Sequence, residues 1–127
     1  MENGLGYTDA RNDPELAIAK KVGQDDGLFF IGTTGRDEVI GTVMCGYDGH
    51  RGWIYSLAVS PDHQRSGVGR ELMETAEDAL IRLGCMKINL QIFAGNGDVE
   101  RFYQKLGYQT EARISMGKAI PENVKFD

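Results

Sequence analysis

"WIYSLAVSPDHQRSGVGRELMETAEDALIRLGCMKINLQI", residues 53–92, changes its hydrophobic period twice. Strand periodicity puts Trp53, Tyr55, Leu57 and Val59 on one face. From Gly67 to Leu83 the apolar positions are Val68, Leu72, Ala76, Leu80 and Leu83, with Ala79 beside them. That is one stripe at helical spacing, and Glu71, Glu74, Glu77 and Asp78 take the other faces. Gly84 ends the helix. Met86, Ile88, Leu90 and Ile92 then alternate with Lys87, Asn89 and Gln91, so the strand period returns. A strand–helix–strand unit of this kind joins two parallel strands by a right-handed crossover.

Working outward, the preceding segments predict an antiparallel meander. Asn12-Asp13-Pro14-Glu15 reads as a helix start, and the helix carries Leu16, Ile18, Ala19 and Val22 before Gly23. Leu28-Phe29-Phe30-Ile31 is a short strand, turned at Thr33–Asp37 into a hairpin partner from Val39 to Tyr47. A second turn at Asp48-Gly49-His50-Arg51 leads into Trp53. Beyond residue 92 a helix is predicted from Gly97, with Val99, Phe102 and Leu106 inward and Gly107 past its end. Tyr108, Thr110, Ala112, Ile114 and Met116 alternate as a last strand. The expected fold is α+β: one domain over residues 1–127, its mixed sheet antiparallel in front and parallel at its centre.

Composition narrows the function classes. The 127 residues are 41% hydrophobic and 26% charged, ordinary values for a globular domain. The net charge is −5 and the Lys and Arg residues are scattered, so no basic face for nucleic acid is expected. Apolar runs are too short to span a bilayer, and no charged-then-apolar leader opens the sequence. Cys45 and Cys85 form no CxxC and no histidine stands at ligand spacing, so no metal site is expected. Both cysteines read as small buried hydrophobes, and free thiols suit a reducing cytoplasm.

The chemistry concentrates where the first central strand ends and the long helix begins. The first backbone N–H groups of a helix lack intrahelical partners, and the aligned peptide dipoles favour an anion there. Gly67 and Gly69 allow close approach to the backbone, and Arg65 and Arg70 add full positive charge. In open α/β sheets the ligand sits beyond the carboxyl ends of the strands, which is where this loop lies. Two readings stand: a turn that merely starts a helix, or a cradle for pyrophosphate.

Leu57-Ala58-Val59-Ser60-Pro61 followed by Gln64-Arg65-Ser66-Gly67-Val68-Gly69 resembles the acyl-CoA-binding motif of the GNAT superfamily of N-acetyltransferases. A second element of that family is matched by Asn96 and by Arg101-Phe102-Tyr103-Gln104-Lys105-Leu106-Gly107-Tyr108. The stretch "GTVMCGYDGHRG" and the early "NDPE" look most like small bacterial members of the YpeA type. The resemblance implies a splay between the two central parallel strands that holds the pantetheine arm of acetyl-CoA, with Leu57 and Val59 pairing to it, within the Leu57-Ala58-Val59 run of the motif. It implies that backbone amides from Arg65 to Arg70, in the loop opened by Gln64, hold the pyrophosphate. Asn96 is expected to hydrogen-bond the cofactor, and Tyr103 to lie by the sulfur and protonate the departing thiolate. The implied reaction is direct transfer of acetyl to a primary amine: a peptide N-terminus, an amino acid or a small-molecule amine.

Two departures from the family pattern matter. Many members carry glutamates where this chain has Trp53 and Tyr55, so the substrate wall is expected to be aromatic and no carboxylate is an obvious general base. Asp48, His50 and a water relayed by Tyr55 are the alternatives. The family's usual first strand and first helix are also not recognised: either the start is set late or the domain is N-terminally short, and if they are absent one sheet edge is expected to lie open. Unpaired edges invite association, so a homodimer is expected. A non-catalytic acyl-CoA-binding module is the rival reading. A dinucleotide-binding domain is weaker, since Phe93-Ala94 stands where its acidic residue belongs.

Overall fold

The computed structural model describes residues 17–21 and 27–121. The chain divides into two compact units, Met1–Phe93 and Ala94–Asp127. The first unit holds a five-stranded sheet in sequence order: β1 (Ala17–Lys21), β2 (Phe29–Thr33), β3 (Val39–Tyr47), β4 (Gly52–Val59) and β5 (Ile88–Leu90). β1 to β4 are antiparallel neighbours, and β5 lies parallel to β4. Helix α1 (Val68–Arg82) is the crossover between those two parallel strands. The expected meander and strand–helix–strand unit are both present.

The helical stripe reaches the core as its spacing requires. Val68, Leu72, Met73, Ala76 and Leu80 of α1 are buried, and they meet Val43, Cys45 and Ile54 of the sheet together with Leu28, Phe30 and Ile40. Leu72, Met73, Leu80 and Val43 are the largest fully buried side chains. Met73 was missed by the stripe, and Leu83, placed on it, is 50% exposed as the C-cap. Two sheet glycines set how closely α1 sits. A Cβ on Gly41 would come within 2.8 Å of Leu72 Cδ1, and one on Gly52 within 2.9 Å of Leu80 Cδ1. The helix therefore rests on bare backbone at both points.

Four expectations are corrected. The helix expected at 12–23 is a strand where it is described: Ala17–Lys21 pairs residue for residue with β2, while positions 12–16 and 22–23 lie outside the described residues. Its apolar spacing was short enough to suit either period, and the hydrogen-bonding edge of β2 selected the strand. β2 is therefore flanked by β1 and β3 and is not a sheet edge. The strand expected over 86–92 shrinks to Ile88–Leu90, because β4 and β5 pair only from Gly52↔Ile88 to Ile54↔Leu90.

The last strand, expected over 108–116, is absent: residues 108–121 carry no regular structure, and 109–121 are all exposed. Alternation marks which face a strand would bury, but it supplies no neighbour to pair with. Finally, Trp53, Tyr55, Leu57 and Val59 do not share one face. Met44 opposes Ser56 and Cys45 opposes Ile54, so Tyr55 is an extra residue, a β-bulge. Directly paired residues share a face, so Leu57 and Val59 lie with Val43 and Gly41 on the α1 side. Trp53, opposite Gly46, lies on the other side.

Of the cysteines, Cys45 is buried with its S–H toward the Leu28 carbonyl at 3.5 Å, and Cys85 is half-buried. The second unit contains α2 (Gly97–Lys105), whose Val99, Phe102 and Leu106 flank are half-buried.

Candidate active site

The bulge and the short β5 together open one side of β4. Pairing to β5 stops at Ile54, while β4 runs on to Val59. Ser60 donates its N–H to the Ile40 carbonyl at 2.8 Å, which turns it toward β3. Strand alternation then points the N–H and C=O of Val59 and Leu57 the opposite way, onto the edge that β5 has left. The Ala58 carbonyl faces β3, beside Gly41. Of the three strand residues assigned to the cofactor, Leu57 and Val59 thus present backbone to the open edge and Ala58 does not. Gln64 takes a structural part here, its Nε2 donating to the Val59 carbonyl at 3.1 Å.

The loop from this edge to α1 is tightly wound. Pro61–His63 makes one 3-10 turn, and Ser66 Oγ donates to the His63 carbonyl. Arg65 and Gly67 both adopt left-handed backbone, at φ 67° and 92°. Left-handed residues placed close together turn backbone amides into anion-binding concavities. Glycine takes that conformation freely, whereas arginine is held there by its surroundings. Gly67 caps α1, and no side chain caps it. The N–H groups of Val68 and Gly69 have no intrahelical acceptor by the geometry of a helix start. Arg65 is exposed, and Arg70 Nε reaches the Glu74 carboxylate at 3.4 Å. An anion here meets helix amides, two left-handed corners and arginine charge.

The predicted residues of the second unit have their own local logic. Asn96 is the N-cap of α2, its Oδ1 accepting from the Val99 N–H at 3.4 Å. Its amide nitrogen remains a donor chemically, so capping and donation to a ligand are compatible. Tyr103 stands edge-on to Phe102 with ring centroids 5.0 Å apart, and to Tyr108 at 5.9 Å. Burial pushes its phenol above the usual tyrosine range, which keeps it protonated at neutral pH.

Of the candidate bases, Asp48 is committed to its turn. Oδ1 accepts from the N–H groups of His50 at 2.9 Å and Arg51 at 2.7 Å, and Oδ2 accepts from Trp53 Nε1 at 3.3 Å. The Arg51 and His50 amides hold its carboxyl below the usual aspartate value, which makes it a weaker base. His50 is exposed in the same turn. Both lie at the start of β4, whereas the wound loop follows its end. Tyr55 stands between, at the bulge. That bulge is not visible in the sequence, because no glycine or proline marks it. No cluster able to hold a metal ion occurs among the described residues, and no helix among them is long and apolar enough to cross a membrane.

Residues 4–108 match the family model of the acetyltransferase (GNAT) family. An acetyltransferase of Pectobacterium atrosepticum is 40% identical over 115 residues, covering 91% of this chain and 81% of that protein. Among solved structures, Ard1 from Thermoplasma volcanium superposes with a TM-score of 0.63 at 25% identity, over 68% of this chain and 58% of that one. The aminoglycoside N-acetyltransferase AAC(6')-Iy in complex with CoA has the same TM-score at 17% identity, over 72% of this chain and 65% of its own. The matched region spans less than two thirds of each of these two solved chains. The superpositions agree with the mixed sheet. The chain belongs to the GNAT acetyltransferase family, a family of acyltransferases.

Proposed function

We propose that this protein transfers an acetyl group from acetyl-CoA to a primary amine by direct attack. The observation that carries the reading is the open edge of β4 at Leu57 and Val59, running straight into the left-handed loop and uncapped start of α1. An extended amide-bearing arm ending in a pyrophosphate matches that surface: strand backbone for the arm, helix amides for the phosphates. The amine lone pair attacks the thioester carbonyl carbon, the C–N bond forms, the C–S bond breaks, and the electron pair leaves on sulfur. Tyr103 gives the thiolate its proton, and the amine's surplus proton passes to water. A strand N–H near Val59 polarises the carbonyl, and the rest of the acceleration is positioning.

Because Asp48 is a weakened base tied to its turn, the better acceptors are weakly basic. An α-amine, with a pKa of about 7.7–8.0, loses its proton near neutrality far more readily than a lysine side chain at about 10.4. The same reading includes a cytoplasmic setting, in keeping with free Cys45 and Cys85, and self-association along the outer edge of β1. Thiol release from acetyl-CoA over a panel of peptide N-termini, amino acids, polyamines and aminoglycosides tests it. Amine-dependent release is expected. Tight coenzyme A binding with no release across the panel would favour the acyl-CoA-binding module instead.

A further inference from the structure

We infer that Tyr55, seated on Gly46 by the β4 bulge, selects the acceptor, favouring amines that carry an aromatic or apolar body. The inference rests on the acetyl-transfer reading for its choice of ligand, but its geometry is independent of it. Tyr55 is the residue that β4 has in excess over β3. A bulge re-aims the side chain it carries. Here the ring is laid over Gly46, where an added Cβ would come within 2.6 Å of Cε2 and 2.7 Å of Oη. Gly46 is buried, yet Tyr55 remains 62% exposed. One side of the ring thus has backbone beneath it, while most of the side chain stays open to solvent.

The neighbours on this face make it an aromatic platform. Gly46 pairs with Trp53, and Met44 pairs with both Phe29 and Ser56, so these side chains share the face away from α1. No charged residue occurs within 39–47 of β3 or 52–59 of β4. Glu38 and Asp48 flank β3 in sequence, and Asp48 is engaged by two turn amides and the Trp53 indole. Arg51 lies over the Trp53 ring at 5.9 Å and brings positive charge to that end. A polycation finds repulsion and an already engaged carboxylate, whereas a hydrocarbon body finds aromatic surface to cover. Tyr55 is also the first residue beyond the last β4–β5 pair, at the opposite end of the open edge from the phosphate loop. A donor anchored by its phosphates in that loop directs its acyl end toward the bulge. Gly46 acts through Tyr55 and is therefore a positioning residue.

Trp53 is the sole tryptophan and lies on the same face, so its fluorescence reports binding there without requiring turnover. Phenethylamine and spermidine are titrated into the full-length protein, with and without saturating coenzyme A. Phenethylamine is expected to bind more tightly than spermidine. Tyr55→Ala should weaken phenethylamine by about tenfold, and Tyr55→Phe should preserve it, because the ring and not the hydroxyl does the selecting. Gly46→Ala should weaken it comparably, and adding it to Tyr55→Ala should change little further. In turnover, Tyr55→Ala should raise KM for phenethylamine, with coenzyme A affinity unchanged by calorimetry. Equal binding of phenethylamine to wild type and Tyr55→Ala, or tighter binding of spermidine to wild type, overturns the inference. Should Gly46→Ala fail to fold, the Tyr55 pair alone decides. Loss of coenzyme A binding in the wild type would sink the acetyl-transfer reading, whereas the amine titration without coenzyme A still judges Tyr55.

Discussion

The two helices begin in opposite ways. α1 starts at Gly67, left-handed, with no side chain reaching its first amides. α2 starts at Asn96, whose own Oδ1 takes the Val99 N–H. α1 buries five residues against the sheet, while α2 buries none completely. A helix anchored by its whole apolar face can leave its N-terminus open, because packing supplies the stability that a cap would add. A short helix with little buried surface depends on its cap. The difference leaves the start of α1 without a side-chain cap and that of α2 with one.

Substitutions test that contrast. The largest effect is expected at Tyr103 in α2, where Tyr103→Phe removes only the hydroxyl. With an amine that is acetylated and chemistry limiting, kcat should fall about 10²–10⁴-fold, with little change in folding or coenzyme A affinity. Burial raises the phenol's pKa, so the protonated form persists past the usual value of about 10. Any alkaline loss of rate caused by Tyr103 should therefore appear only above that value in a kcat–pH profile. Unfolded tyrosine ionises first on that side, so the stability contributed by this site should also decline as pH rises beyond about 10. An unchanged kcat in Tyr103→Phe would leave α2 without a chemical role.

Next in size is Leu72→Ala, which should cost about 2–5 kcal/mol in denaturant unfolding. Val99→Ala in α2, only half-buried, should cost markedly less. Similar losses at both would erase the contrast in packing. Gly67→Val should weaken coenzyme A by about 1–3 kcal/mol in calorimetry, by placing a branched side chain where the backbone must be approached. The smallest effect belongs to the capped helix. Asn96→Ala should lose about 1 kcal/mol of stability, and Asn96→Ser should recover most of it by restoring a capping oxygen. Coenzyme A affinity separates the two roles of Asn96: a drop in Asn96→Ser with stability retained would reveal donation from the amide nitrogen.

What the sequence revealed follows from which interactions are local. The α1 stripe at Val68, Leu72, Ala76 and Leu80 and the glycine-marked loop were legible, because helix period and glycine carry their own conformational meaning. The strands β2, β3 and β4 were legible from alternation and from the turns between them. The 17–21 strand was not, because its identity depends on the edge of β2 rather than on its own spacing. Residues 108–116 show the converse: the alternation of Ile114 and Met116 was clear, but both remain exposed and unpaired in any strand. The bulge at Tyr55 is a count of two strands against each other, a quantity that neither strand contains alone. The same holds for Asp48, an alternative base by sequence whose three donors come together only in the fold.

Arg65 carries a consequence for anyone seeking a sturdier version of this protein. Its φ of 67° is one that asparagine or glycine adopts at lower cost than arginine. A heat-resistance screen should therefore be drawn to this position, and its survivors should include Arg65→Asn and Arg65→Gly. Those survivors would have relaxed a corner of the loop and removed one of its two arginines in a single step. Selection for durability alone would then work against the proposed phosphate cradle, through an exposed residue.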